Sequence, residues 1–196
     1  MSLLDAAMKA ELSGLYRAGD RHYHGIRHIE ASLSLLAEYR AQFADPEAVE
    51  AAIWFHDAIY DSRAKDNEAQ SAALAADRLG GKVDPTRLAR ITAMIEATAT
   101  HHLPGLPDGA AEQDAALFLD MDLSILGAPA GAFEAYEAAV RREYGWVSEA
   151  DWRAGRTAVL KTFLARPRIY FSDTFAALFE AQARANMERS LQTLGS

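Results

Sequence analysis

Residues Ala51–Tyr60 read AAIWFHDAIY, an apolar run broken by the adjacent pair His56–Asp57. A carboxylate set inside such a run loses hydration, and an unpaired buried charge costs several kcal/mol or is neutralised. Two kinds of partner meet that need. One is a hydrogen bond between His56 and Asp57 within the core; the other is a divalent cation, which takes carboxylate oxygen and neutral imidazole together. The stretch alone leaves both open.

Outward from this run the chain reads as helix. Asp45–Pro46 places an N-cap acid before a proline at the first helical position, so a helix starts there and carries His56–Asp57. Before it, Leu3–Arg17 is amphipathic, and HYHGIRHIEASLSLLAEYR (residues 22–40) repeats Ile26, Ile29, Leu33 and Leu36 at helical steps, with a start expected just after Gly25. After it, Asp61–Asp66 is a polar loop, and Asn67–Leu79 is a helix stopped by Gly80–Gly81. Asp84–Pro85 opens a helix running through Leu88, Ile91 and Ile95 towards His101. Leu103–Gly109, with two prolines and two glycines, is a loop. The run DAALFLDMDLSILG (residues 114–127), Ala130–Tyr144, Ser148–Leu164 and Asp173–Leu194 complete the helices. Ser148 with Asp151 approaches a capping box. No stretch alternates for long enough to be a strand, so the fold class is all-α.

Composition narrows the function. The 196 residues are 50% hydrophobic, which suits one compact domain over 1–196. There is no cysteine, so disulfides and thiolate metal sites are excluded and any metal must use His, Asp, Glu and water. The N-terminal stretch does not read as a signal peptide, and no apolar run approaches the roughly 18–20 residues of a membrane span. A soluble, cytoplasmic protein is therefore expected. A net charge of −8 argues against general nucleic-acid binding or an anionic membrane as partner. The charge is uneven: residues 141–168 carry +4 and the remainder −12. A basic stretch beside a metal attracts a phosphorylated substrate, and it reads equally as a solvated helix face.

Further groups extend the chemistry. His24 and His28 stand four residues apart, which on a helix puts both on one face. His101–His102 follow a helix, Asp120 and Asp122 interrupt a second apolar run, and Asn67–Glu68 open the helix after the His56–Asp57 loop. Each has an ordinary structural reading as a cap, a helix-end charge or a core hydrogen bond. Two separate apolar runs that each bury a charge nevertheless call for a shared partner.

The ordered pattern H…HD…D, here His28, His56–Asp57 and Asp122, resembles the HD superfamily of metal-dependent phosphohydrolases. The segments YHGIRH, WFHDAIYD, NEAQSA, IEATATHH, FLDMDLSILG and VLKTFLARPRIY spread the likeness over most of the chain and look like one bacterial branch of predicted HD phosphohydrolases. The resemblance implies a phosphodiesterase-like multi-helix bundle and a divalent metal held by His28, His56, Asp57 and Asp122. YHGIRH also resembles the Tyr-His-x-x-x-His segment of cyclic-nucleotide phosphodiesterases, which implies that His28 binds metal while His24 donates a proton to the leaving oxygen. Asp57 would bridge two ions where two are bound. Asp120 would orient a ligand or replace one, His101 corresponds loosely to a second-metal ligand, and Glu68 would activate or hold water. Arg27 and Arg156 are the first candidates for phosphate contacts.

The expected activity is hydrolysis of a phosphomonoester or phosphodiester, with a small phosphorylated molecule of the nucleotide type as substrate, by metal-activated water. The cofactor is one or two divalent ions from among Mn, Fe, Co, Ni, Zn and Mg. Two alternatives stay open: a non-catalytic regulatory HD domain that binds metal or nucleotide, and a di-iron HD-type oxygenase. Tyr144, Trp146 and Trp152 read as cleft lining, as a homodimer face or as core.

Overall fold

The computed structural model describes residues 2–17, 19 and 21–195, and among these it contains α-helices, short 3-10 turns and no strand. The helices are α1 (Ala6–Arg17), α2 (Ile26–Glu38), α3 (Pro46–Phe55), α4 (Asn67–Leu79), α5 (Pro85–Ala97), α6 (Gly109–Asp122), α7 (Ala130–Glu143), α8 (Glu149–Leu164) and α9 (Asp173–Gly195). The all-α expectation holds. The chain divides into two compact units, Met1–Met121 and Asp122–Ser196.

The first unit is built around α3. Its residues Val49, Ala51, Ala52, Ile53 and Phe55 have no exposed surface, and only Pro46, Glu47 and Glu50 keep partial exposure, so most of this helix is buried. Helices α1, α2, α4 and α5 pack against it. Burial of side chains such as Ile53 and Phe55 contributes about 1.5–3 kcal/mol each. The sequence signals for helix starts are realised in atoms: Asp45 accepts from the Ala48 amide at 3.1 Å, and Asp84 accepts from Thr86 and Arg87. Gly81 follows α4 with φ +71°, the left-handed conformation that a helix stop favours. Asp114 of α6 ties the start of α3 in place, its two oxygens accepting from the Ala44 and Asp45 amides at 2.8 Å each.

One boundary differs from expectation. Helix α3 ends at Phe55, with His56 as its C-cap and Asp57 in the turn beyond. The Ala58 amide already bonds to the Phe55 carbonyl at 2.9 Å, a tighter 3-10 closure. The pair therefore stands at the helix end, where side chains are freer to converge with those of other elements.

In the second unit, α9 holds the 3-10 turn Leu123–Gly127. The Asn186 side-chain amide donates to the Leu126 and Ala128 carbonyls at 2.8 Å, and Tyr170 donates to the Leu123 carbonyl at 3.1 Å. Ser148 caps α8 by accepting from the Asp151 amide. Trp146 is half exposed and Trp152 lines a cleft of about 360 Å³ with Arg141 and Arg189, so these aromatic residues are not core. Among the described residues no single helix is long and apolar enough to cross a membrane.

Candidate metal centre

Three elements carry the residues of the site. Helix α2 begins at Ile26, capped by Gly25 in extended backbone, and carries the buried His28. The end of α3 supplies His56, 2% exposed, whose ring meets Phe118 of α6 edge-on at 5.9 Å. Helix α6 continues from Phe118 to its last residue, Asp122.

His28 Nε2 and His56 Nε2 lie 3.1 Å apart. Asp57 Oδ2 is 3.2 Å from the His56 nitrogen and 3.9 Å from that of His28. Ligand atoms of His28, His56 and Asp122 all lie within 4.8 Å of one another, a group able to hold a metal ion. Asp57 Oδ2 is as near to both histidine nitrogens as these ligand atoms are to one another.

His56 Nδ1 is 3.0 Å from the Ile53 carbonyl oxygen, which can only accept, so Nδ1 carries a hydrogen, and Nε2 faces both His28 Nε2 and Asp57 Oδ2. The contact between the two Nε2 atoms is completed by a hydrogen on one of them or by a cation between the rings. The spacing fits a cation. Two atoms about 2.1 Å from one ion stand about 3.0 Å apart at a right angle and about 3.4 Å apart at the tetrahedral angle. His28 Nδ1 in turn meets the Tyr23 hydroxyl at 3.3 Å, an outer partner that fixes the ring. At Asp57, burial pushes the carboxyl pKa up, but the charges and hydrogen bond of His56, with His24 and His28, outweigh it and hold the group well below the usual carboxylate range.

The other expected site residues have varied places. His24 does not share a helix face with His28: it lies in the turn before α2, its ring stacked on Tyr60 at 4.3 Å and 23°. Its charge still acts on Asp57. Asp120 is wholly buried but outside the ligand group; two steps along a helix turn a side chain by about 200°, away from the direction of Asp122. Helix α5 stops at Ala97, and His101 follows with φ +50°, its amide bonded to the Ala97 carbonyl. Neither His101 nor Glu68, a first-turn acid of α4, belongs to the group.

Arg27 is exposed on α2, open to an anion. Arg156 is not available for that role. In the second unit it is buried, paired with Glu137, bonded to the Tyr136 hydroxyl at 2.9 Å and set over the Tyr136 ring. Burial works against its charge, yet Tyr136 and Glu137 outweigh this and raise its pKa. A buried guanidinium requires such partners, and its place in a basic stretch does not reveal them.

Sequence reasoning also passed over Arg21, Tyr23 and Tyr60, which surround the site. Tyr23 lies inside the quoted YHGIRH motif and could have been noticed there; Arg21 belongs to no spacing pattern. Comparison with protein-family models, curated proteins and solved structures gives no match.

Proposed function

We propose that the chain is a divalent-metal-dependent phosphohydrolase of the HD type, acting on a small phosphorylated molecule of the nucleotide class. The observation that carries this reading is the approach of His28 Nε2 to His56 Nε2 at 3.1 Å with Asp122 grouped beside them. Such a neutral-imidazole and carboxylate set suits Mn, Fe, Co, Ni or Zn, and Mg less well. A bound divalent ion supplies Lewis acidity towards phosphoryl oxygens and acidifies water.

The protein side of the chemistry follows from the placement of its own groups. His28, His56 and Asp122 hold the cation. Asp57, kept ionised and 15% exposed at its side chain, joins them from the solvent side or takes the proton of the attacking water. A ring nitrogen of His24 gives a proton to the departing oxygen, with Tyr60 fixing the plane of the ring. Arg27, exposed one residue before a ligand, meets the remaining phosphoryl oxygens. Among the described residues the ligand group takes in neither His101 nor Glu68, on which a richer oxidative di-iron set would draw.

Elemental analysis beside a His56→Ala variant tests the reading, followed by hydrolysis assays on p-nitrophenyl phosphate, bis-p-nitrophenyl phosphate and nucleotides. One or two ions per chain, absent from the variant, together with metal-dependent phosphate release, is the expected result. Failure to take up Mn, Zn or Fe on reconstitution overturns it. Iron with oxygen consumption and no phosphate release replaces it by the oxidative reading.

A further inference from the structure

Arg21 bonds to the backbone of the two turns that present His24 and Asp57, although no motif includes it. Its Nη1 donates to the Asp57 carbonyl at 2.6 Å and to the His24 carbonyl at 3.2 Å, while Nη2 donates to the Ala58 carbonyl at 2.8 Å. The guanidinium carbon lies 5.3 Å from the centre of the Tyr16 ring and 5.6 Å from that of Tyr60. Both rings are themselves anchored. Tyr16, almost fully buried, donates to the Trp54 carbonyl at 3.0 Å, and Tyr60 carries the stacked His24 ring.

The chemistry of the contacts explains why an arginine stands here. The carbonyls just past the end of α3 have no partner within the helix, and a cation placed there also meets the negative end of its dipole. A planar guanidinium has five N–H groups in a rigid fork, so one side chain serves several carbonyls in fixed relative positions. Lysine offers the charge but not the fork. The aromatic faces add attraction for the cation and limit the directions in which it can tilt. The bonded carbonyls belong to turns 33 positions apart in the chain, at His24 and at Asp57, and both turns lie outside the α-helices.

We propose that Arg21 is a positioning residue: it locks the turn carrying His24 to the turn carrying Asp57, and so sets the distance between the proton donor and the Asp57 carboxylate beside the metal site. The second half of this statement rests on the metal-site reading; the lock itself does not. Arg21 touches neither substrate nor metal and acts through the backbone of the residues that do.

Arg21→Gln and Arg21→Lys separate this role from simple stabilisation. In metal-free protein, hydrogen exchange should rise together in segments 21–28 and 56–61 of Arg21→Gln, with α9 unchanged. Titration calorimetry with Mn²⁺ should show affinity falling by roughly 10–100-fold, the range for an outer partner of a metal ligand. Arg21→Lys should recover only part of both, and it serves as the judged variant if Arg21→Gln fails to fold. A merely structural arginine would lower the melting temperature and leave Mn²⁺ affinity at the wild-type value; that outcome, or loosening of one segment alone, overturns the proposal. Full recovery in Arg21→Lys also overturns it, because charge and not the fork would then suffice. If the wild-type protein binds no Mn²⁺ or Zn²⁺, the metal reading falls, and exchange in the two segments still decides whether the lock exists.

Discussion

His28 and His56 meet through their Nε2 atoms at 3.1 Å, though 28 positions and two helices separate them. With His56 Nδ1 committed to the Ile53 carbonyl, the facing nitrogens share either a hydrogen or a cation, and the metal-site reading takes the cation. His56→Ala and Asp122→Asn should therefore weaken Mn²⁺ or Zn²⁺ binding beyond the roughly 10–100-fold typical of losing an outer partner. Calorimetric titration of each variant checks this, and wild-type affinity in both would remove the site.

His24 stands apart from the ligand group, on Tyr60. His24→Ala is expected to retain metal and to lose turnover by about 10²–10⁴-fold, the usual worth of a positioned general acid. Metal content and phosphate release measured on the same sample distinguish the two effects. Loss of the metal would instead make His24 a ligand.

Arg156 is a buried ion-pair partner and so a determinant of stability. Arg156→Met leaves Glu137 without its cation and should cost about 3–5 kcal/mol. Urea unfolding gives that number directly. Glu137→Leu added to Arg156→Met should restore much of it, because the stranded charge is then gone. A raised KM with unchanged stability would return Arg156 to the substrate-binding role.

Gly127 is held tightly by α9. A Cβ added there would stand 2.5 Å from the Phe179 Cβ and 2.8 Å from the Phe179 carbonyl oxygen. Backbone cannot swing aside, so Gly127→Ala should destabilise the protein by about 1–3 kcal/mol. A thermal melt in which Gly127→Ala matches the wild type would contradict this contact.

Two acids at the start of α3 give opposite pH slopes. Burial raises the Asp45 carboxyl pKa, but Arg87 and the Ala48 amide outweigh it and lower the group below its ordinary value. Its contribution is therefore present above the unfolded pKa of about 3.9 and is lost as pH falls through the folded value. Burial, aided by Asp45, raises Asp114 in spite of two backbone amides. Its contribution is complete below the unfolded pKa and declines as pH rises through the folded one. In melts from about pH 3 to 7, Asp45→Asn should flatten the acid limb, and Asp114→Asn should remove a decline on the rising side. Identical pH profiles for both variants and the wild type would refute the assignment.

Much of the local architecture was legible. The starts at Asp45, Asp84 and Ser148 depend on one side chain reaching an amide two or three residues ahead, an interaction contained within the reading window. The glycine stop after Leu79 is equally local. The pairing of His28 with His56 was foreseen from their order in the chain, without any basis for its distance. The expected start of α2 just after Gly25 holds, and it takes His24 off the helix face that its spacing from His28 suggested.

By itself the sequence determined that the chain is helical, where most helices begin and end, and that charged groups within apolar runs require partners. These follow from period, capping and hydration, which act over a few residues. Tertiary structure alone decided that Arg156 turns inward to Glu137 and that Arg21 ties His24 to Asp57. Each of these depends on which carbonyl, carboxylate or ring another segment brings to the same point, and hydrogen bonds a few ångströms long register that meeting only after the helices have packed.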